Sequence, residues 1–128
     1  MTTNSQIDSS RTLHGVGIAP GVGEGLVQYH RRLDRSGFAE AKGRVIICTA
    51  LSDSEAGLLV QARPAAVIIT GAVSHSVAAV LRHACIPAVG GISLGSSDLY
   101  RGTGAIVDGV HGRVWRNALL VSADGSRK

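Results

Sequence analysis

Two short runs without a polar interruption, Arg44-Val45-Ile46-Ile47-Cys48-Thr49 and Ala65-Ala66-Val67-Ile68-Ile69-Thr70, restrict the fold of this chain more than any other feature. A strand with one wet face alternates apolar and polar side chains. A strand that is apolar at every position is covered on both faces, as in a parallel sheet between other layers. The segments between these runs agree. Ser52-Asp53-Ser54-Glu55 has the Ser-x-x-Glu form of a capping box and opens a helix with Leu58, Leu59 and Ala62 on its buried side. After Thr70 the chain passes Gly71, enters a second helix over residues 74–84, and continues into a third apolar run, Ile86-Pro87-Ala88-Val89. Strand, helix, strand, helix and strand with short connections predict an α/β protein with a parallel βαβαβ core.

More β structure surrounds this core. Apolar residues alternate on either side of Ala19-Pro20-Gly21 between Leu13 and Val27, which predicts two short strands around a tight turn. Gly104 to Asp108 and Gly112 to Trp115 flank Gly109-Val110-His111 and read as a hairpin. Residues 31–41 are charged and irregular, the pattern of a surface loop. The expected organisation is a polar, disordered tail over 1–10, one domain over 11–117 and a loose tail over 118–128. The 128 residues are 45% apolar but only 3% aromatic, so the core must be built from Val, Ile, Leu and Ala. The 17 glycines fit a chain that turns often.

Several function classes are disfavoured. The net charge of +4 is dispersed apart from Arg31, Arg32 and Arg35 and the terminal Arg127-Lys128, and the few aromatics offer no stacking platform, which argues against nucleic acid as a partner. No stretch approaches the length of a membrane span, and the first ten residues lack the apolar segment of a signal peptide. Cys48 and Cys85 have no Cys-x-x-Cys spacing. They read as two buried thiols of a reduced compartment, with a disulfide between them left open. The expectation is a cytoplasmic protein. His83 and Cys85 do not make a metal site, and His14, His30 and His111 read as surface or loop residues. The glycine run from Gly15 to Gly25 lacks the Lys-Ser/Thr of a phosphate-cradling loop.

The chemistry concentrates at Ser74-His75-Ser76. A histidine at the start of a helix offers a nucleophilic ring beside unsatisfied backbone amides that hold an anion. The same residues also suit a plain helix start, with Ser74 as N-cap.

Gly71, Ser74, His75, Arg82, Ile86-Pro87-Ala88-Val89 and Gly91 resemble a signature that runs Gly-Gly-x-Thr-Ser-His, a small-residue helix with Ala-Arg, then Gly-Ile-Pro-Ala-Val-x-Gly. It belongs to the swivelling phosphohistidine (mobile) domain of phosphoenolpyruvate-utilising enzymes. These include pyruvate phosphate dikinase, phosphoenolpyruvate synthase, Enzyme I of the sugar phosphotransferase system and rifampicin phosphotransferase. The turn from Gly17 to Gly25 and the pair Asp108-Gly109 with Gly112 are similar to two further blocks of that family, in the same order. The resemblance implies a swivelling β/β/α domain acting as a stand-alone phosphotransferase component. His75 would be the phosphoryl acceptor, Ser74 a phosphate contact and helix cap, and Gly71, Ala72 and Val73 the phosphate-binding backbone. The chain would bind no cofactor or metal itself. Mg-ATP or phosphoenolpyruvate would be handled by partners, an ATP-binding subunit and an acceptor or pyruvate-site subunit. Two departures stand out. Val73 replaces the family's threonine, and Ser76 through Pro87 spans twelve residues where the family has eleven. Anchored on Arg82 and Ile86-Pro87, Ser76 takes the histidine's place. Two alternatives follow: a non-phosphorylated swivel domain that docks or regulates, or the small subunit of a dehydratase of similar fold in which Ser74 or Ser76 contacts substrate.

Overall fold

The computed structural model describes residues 12–30, 41–93 and 103–121. In chain order the elements are β1 (Leu13–His14), β2 (Val16–Ala19), β3 (Val22–His30), β4 (Val45–Cys48), α1 (Asp53–Ala62), β5 (Ala66–Ile69), α2 (His75–His83), β6 (Ala88–Gly90), β7 (Thr103–Asp108) and β8 (Arg113–Val121). The βαβαβ core forms as expected. Strands β3, β4, β5 and β6 run parallel, with Val27 opposite Val45, Val45 opposite Ala66 and Val67 opposite Ala88.

Strand β3 belongs to both halves of the fold. Val22 to Leu26 pair antiparallel with β7, whereas Val27 to His30 pair parallel with β4. The result is a mixed eight-stranded sheet in the order β1-β8-β7-β3-β4-β5-β6-β2. The two ends of that order, β1 and β2, are consecutive in the chain and separated only by Gly15. Leu13 and His14 pair with β8, and Val16, Gly17 and Ala19 pair with β6. One stretch of chain therefore occupies both ends of the sheet, where free edges would otherwise invite pairing with other chains.

The period of two along β4 and β5 sorts their side chains onto two faces. Ile46, Cys48, Val67 and Ile69 meet Leu59 of α1 and Val77 and Leu81 of α2. Val45, Ile47, Ala66 and Ile68 meet Ala105, Val107 and Val114 of β7 and β8. Both faces of β4 and β5 are thus covered, one by helices and one by the antiparallel strands, and every residue in the two strands is buried. Each such Val or Ile contributes roughly 1.5–3 kcal/mol by burial.

The helix boundaries follow from local chemistry. Ser52 accepts from the backbone of Glu55 while Glu55 accepts from the backbone of Ser52, the capping box read from the sequence. Helix α2 ends in a Schellman motif: the Cys85 amide donates to Arg82 O and the Ile86 amide to Leu81 O, with Cys85 left-handed at φ 61°. That exit uses Ile86 and Pro87, so β6 begins at Ala88 rather than Ile86.

Other expectations are revised. Strands β2 and β3 flank Pro20 but do not pair with each other; β2 goes to β6 and β3 to β7 and β4. Strand β8 extends to Val121, past the boundary expected at 117. The expected loop over 31–41 lies, apart from buried Ala41, outside the described residues, as do the tail at 1–10 and most of that at 118–128.

The Ala19-Pro20-Gly21 turn and the β7–β8 turn interlock. The Gly109 amide donates to Gly21 O at 2.8 Å, and the Gly15 amide donates to Gly112 O at 2.8 Å. A Cβ on Gly109 would lie 1.8 Å from Ala19 O, so only glycine allows the two backbones to meet.

Candidate functional site

In a parallel sheet the crossover helices begin at the carboxyl ends of the strands, the end at which open α/β sheets collect ligands. Helices α1 and α2 follow β4 and β5, so their first turns share that end. The loops leading to them touch, because the Gly71 amide donates to Thr49 O at 2.9 Å. A Cβ on Gly71 would lie 2.6 Å from that same oxygen.

The first turns are joined by side chains. Ser76 donates to Asp53 Oδ1 at 2.6 Å, a short bond of the charge-assisted kind that bridges two helices 23 residues apart in sequence. Ser74 Oγ accepts from the Val77 amide at 3.2 Å as the α2 cap and lies 3.2 Å from Ser76 Oγ. On α1, the Ser52 amide donates to Glu55 Oε1 at 2.8 Å, and Ser52 and Ser54 hydroxyls are 3.3 Å apart. Ser52, Asp53, Ser54, Ser74, His75 and Ser76 are all exposed.

The structure separates the residues singled out from sequence. Ser74 is the cap of α2 and His75 its first residue; the His75 ring has no hydrogen bond or ion pair with any described residue. Ser76 is tied to Asp53. Gly71 serves the contact between loops, Ala72 is exposed, and Val73 packs against the helix-side core rather than lining a polar pocket. That placement gives a physical reason for an apolar side chain at 73. In the sequence Asp53 belongs only to a capping motif. Its partnership with Ser76 depends on the crossover that sets the two helices side by side, and no local pattern signals it.

A second polar cluster lies at the opposite end, in the β7–β8 turn. Asp108 Oδ1 accepts from the Val110 and His111 amides at 3.0 and 3.1 Å, and Oδ2 accepts from His111 Nδ1 at 2.8 Å and Arg113 Nη2 at 3.3 Å. Burial pushes the Asp108 carboxyl up, but the bonds from His111, Arg113 and Val110 outweigh it and bring the pKa down to about 2. The bonded amides and the interlocked backbone make this cluster a turn clamp.

The two cysteines differ from expectation and from each other. Cys48 is buried, and burial, reinforced by the nearby Glu55 carboxylate, pushes its thiol up to about 12. Cys85, expected to be buried, is exposed because the left-handed helix exit turns it outward; both are free thiols. Cys85 lines an open cleft of about 590 Å³ with Val60, Arg63, Pro64 and Ile86, at the far ends of the helices from Ser76. Among the described residues no group of three or more His, Cys, Asp or Glu is placed to hold a metal ion. No described helix is long and apolar enough to cross a membrane.

No protein-family model matches the sequence, and no curated protein matches it at a significant level. Solved structures do. A chain of aconitase X from Thermococcus kodakaraensis, in its holo form, superposes with a TM-score of 0.66 at 22% identity, covering 82% of this chain and 97% of that one. A UPF0107 protein solved by NMR in solution superposes with a TM-score of 0.64 at 16% identity, covering 80% of this chain and 96% of that one. At these identities the likeness shows the fold.

These neighbours correct the family reading. The solved structures that this chain resembles are aconitase X and a UPF0107 protein rather than phosphohistidine domains of phosphoenolpyruvate-utilising enzymes, which overturns the family reading on which a phosphotransfer role for His75 rested. The physical reason lies in what the matching residues do. The Pro-Gly turn and the Asp-Gly hairpin interlock, Ser74 caps a helix, and Cys85-Ile86-Pro87 close it. These are demands of packing that unrelated chemistries can share.

Proposed function

We propose that this chain is the small subunit of a dehydratase, built as a swivelling β/β/α domain, and that it brings Ser76 and Ser74 to an active site completed by a larger partner subunit. The observation that carries the reading is the Ser74–Ser76–Asp53 array, exposed at the carboxyl ends of the parallel strands. The likeness to an aconitase X chain slightly shorter than this one supports it. Removing water from a hydroxy acid calls for a positioned group that takes part in proton transfer and for a site closed to solvent. The array supplies the first. Its exposure leaves the second to another surface, which is the reason for a partner.

The test is co-expression with a candidate larger subunit, followed by ultraviolet detection of the unsaturated acid formed from hydroxy acids. Ser76→Ala is expected to lower kcat about 100-fold or more, in line with loss of a proton-transfer group. Full activity in both Ser76→Ala and Ser74→Ala assemblies would sink the proposal.

A further inference from the structure

We infer that the open cleft between the far ends of α1 and α2 docks an acidic segment of a partner chain, with an apolar side chain seated in the cleft and the neighbouring carboxylates on Lys42, Arg44 and Arg63. This surface lies at the opposite end of the sheet from Ser76, and the inference does not depend on the dehydratase reading.

The fold gathers cations that are spread along the sequence. The Gly43 amide donates to Arg63 O at 3.1 Å and the Ala65 amide donates to Arg44 O at 2.9 Å, which clips the turn before β4 to the exit of α1. Lys42, Arg44 and Arg63 are all exposed there. Among the described residues, no side-chain hydrogen bond or ion pair engages any of the three. A helix dipole explains Arg82 and His83, which stand in the last turn of α2. It does not explain Lys42 and Arg44, which belong to no helix. Three uncommitted cations on two joined turns repel one another and attract carboxylates.

Arg63 belongs to both features. It also lines the cleft of about 590 Å³, whose walls include Val60, Pro64, Ala84 and Ile86. The last carbonyls of α1 and α2 end on this side and carry partial negative charge, so the cleft itself repels a bare anion. It suits the apolar, N–H-bearing part of a ligand, while the acid groups meet the cations at the rim. A pocket for a small molecule encloses most of it. This cleft is open, and the cations run past its lining to Lys42 and Arg44. A peptide segment matches that shape, with an apolar anchor, backbone N–H groups and carboxylates on either side. A second copy of the chain meeting this face across a two-fold axis would bring the same cations together.

The test uses the isolated full chain and a fluorescein-labelled peptide with one leucine flanked on each side by two glutamates, followed by fluorescence anisotropy at low salt. Saturable binding is expected, weakened about tenfold in the Lys42→Gln/Arg44→Gln double variant. In a nitrogen-15-labelled chain the peptide is expected to shift the Gly43, Arg63, Ala65 and Ile86 amide signals and to leave Ser76 and Val77 still. Alkylating the exposed Cys85 with N-ethylmaleimide fills the cleft without any substitution and is expected to weaken binding as well. No saturable binding, an unchanged affinity in the double variant or after alkylation, or equal binding of a peptide with serine for leucine would overturn the inference. So would displacement of the peptide by equimolar inorganic phosphate or a short oligothymidylate, which assigns the cations to a free anion or a nucleic acid. A dimer in sedimentation that the double variant loses would give the face to a second copy and overturn it too. Ser76 takes no part in these measurements, so their failure and that of the dehydratase assay are separate results.

Discussion

Replacing Gly109 with alanine tests the interlock of the two turns. The added methyl carbon would lie 1.8 Å from the carbonyl oxygen of Ala19, 3.0 Å from its carbonyl carbon and 3.1 Å from the amide nitrogen of Ala88. All three are backbone atoms, so no side chain can rotate away. Carbon and oxygen sit comfortably at about 3.3–3.6 Å, so one turn must retreat by roughly 1.5 Å. That retreat breaks the Gly109–Gly21 hydrogen bond of 2.8 Å, worth about 1 kcal/mol. Overpacking adds about 1–3 kcal/mol. Gly109 is not among the glycines at positive φ, so the cost is steric rather than conformational. The expected total of about 2–4 kcal/mol, at about 3–5 °C per kcal/mol for a domain of this size, lowers Tm by about 6–20 °C. Urea and thermal unfolding followed by circular dichroism measure it. Gly57→Ala is the control, because Gly57 lies within α1 and a Cβ there meets nothing within 4 Å. It should stabilise the fold by about 0.5–1 kcal/mol, the helical preference for alanine over glycine. A Gly109→Ala protein within about 0.5 kcal/mol of wild type, the scatter of innocuous substitutions, would refute the close approach.

Three further outcomes are expected. Cys85→Gly relieves the left-handed position at the exit of α2 and should raise stability by about 0.5–1 kcal/mol, read from the urea midpoint. Asp108→Asn should cost roughly 1–2 kcal/mol at neutral pH. That follows from a carboxyl held at about 2 rather than 3.8, discounted for the solvent that reaches His111 and Arg113. Because the folded pKa is depressed, this stability is complete above about pH 4 and drains away as pH falls towards 2, so wild type and variant should converge across that window. A thiol reagent at pH 8 should modify Cys85 at once in the native protein and Cys48 only on unfolding, since the Cys48 thiol is buried and raised to about 12. Prompt modification of two thiols would place Cys48 elsewhere than under α1 and α2.

Elements whose causes are local can be read along the chain. Continuous apolar runs at Val45 to Cys48 and Ala66 to Ile69 announce strands covered on both faces, and the Ser52/Glu55 and Ser74 caps mark helix starts to the residue. Their alternation implies parallel β structure, because the shortest right-handed crossovers allow little else. Contacts between distant segments emerge with the folded sheet. Strands β2 and β3 part company after Pro20, β2 pairing with β6 and β3 with β7 and β4. Gly109 meets Ala19 across some ninety residues, which turns two glycine motifs that resembled chemistry into one packing joint. Asp53, legible only as part of a capping box, finds Ser76 because two consecutive crossovers lay their helices on one face with first turns adjacent. Local preference is written in short-range pattern, whereas the company a side chain keeps depends on which distant segments the sheet brings to it.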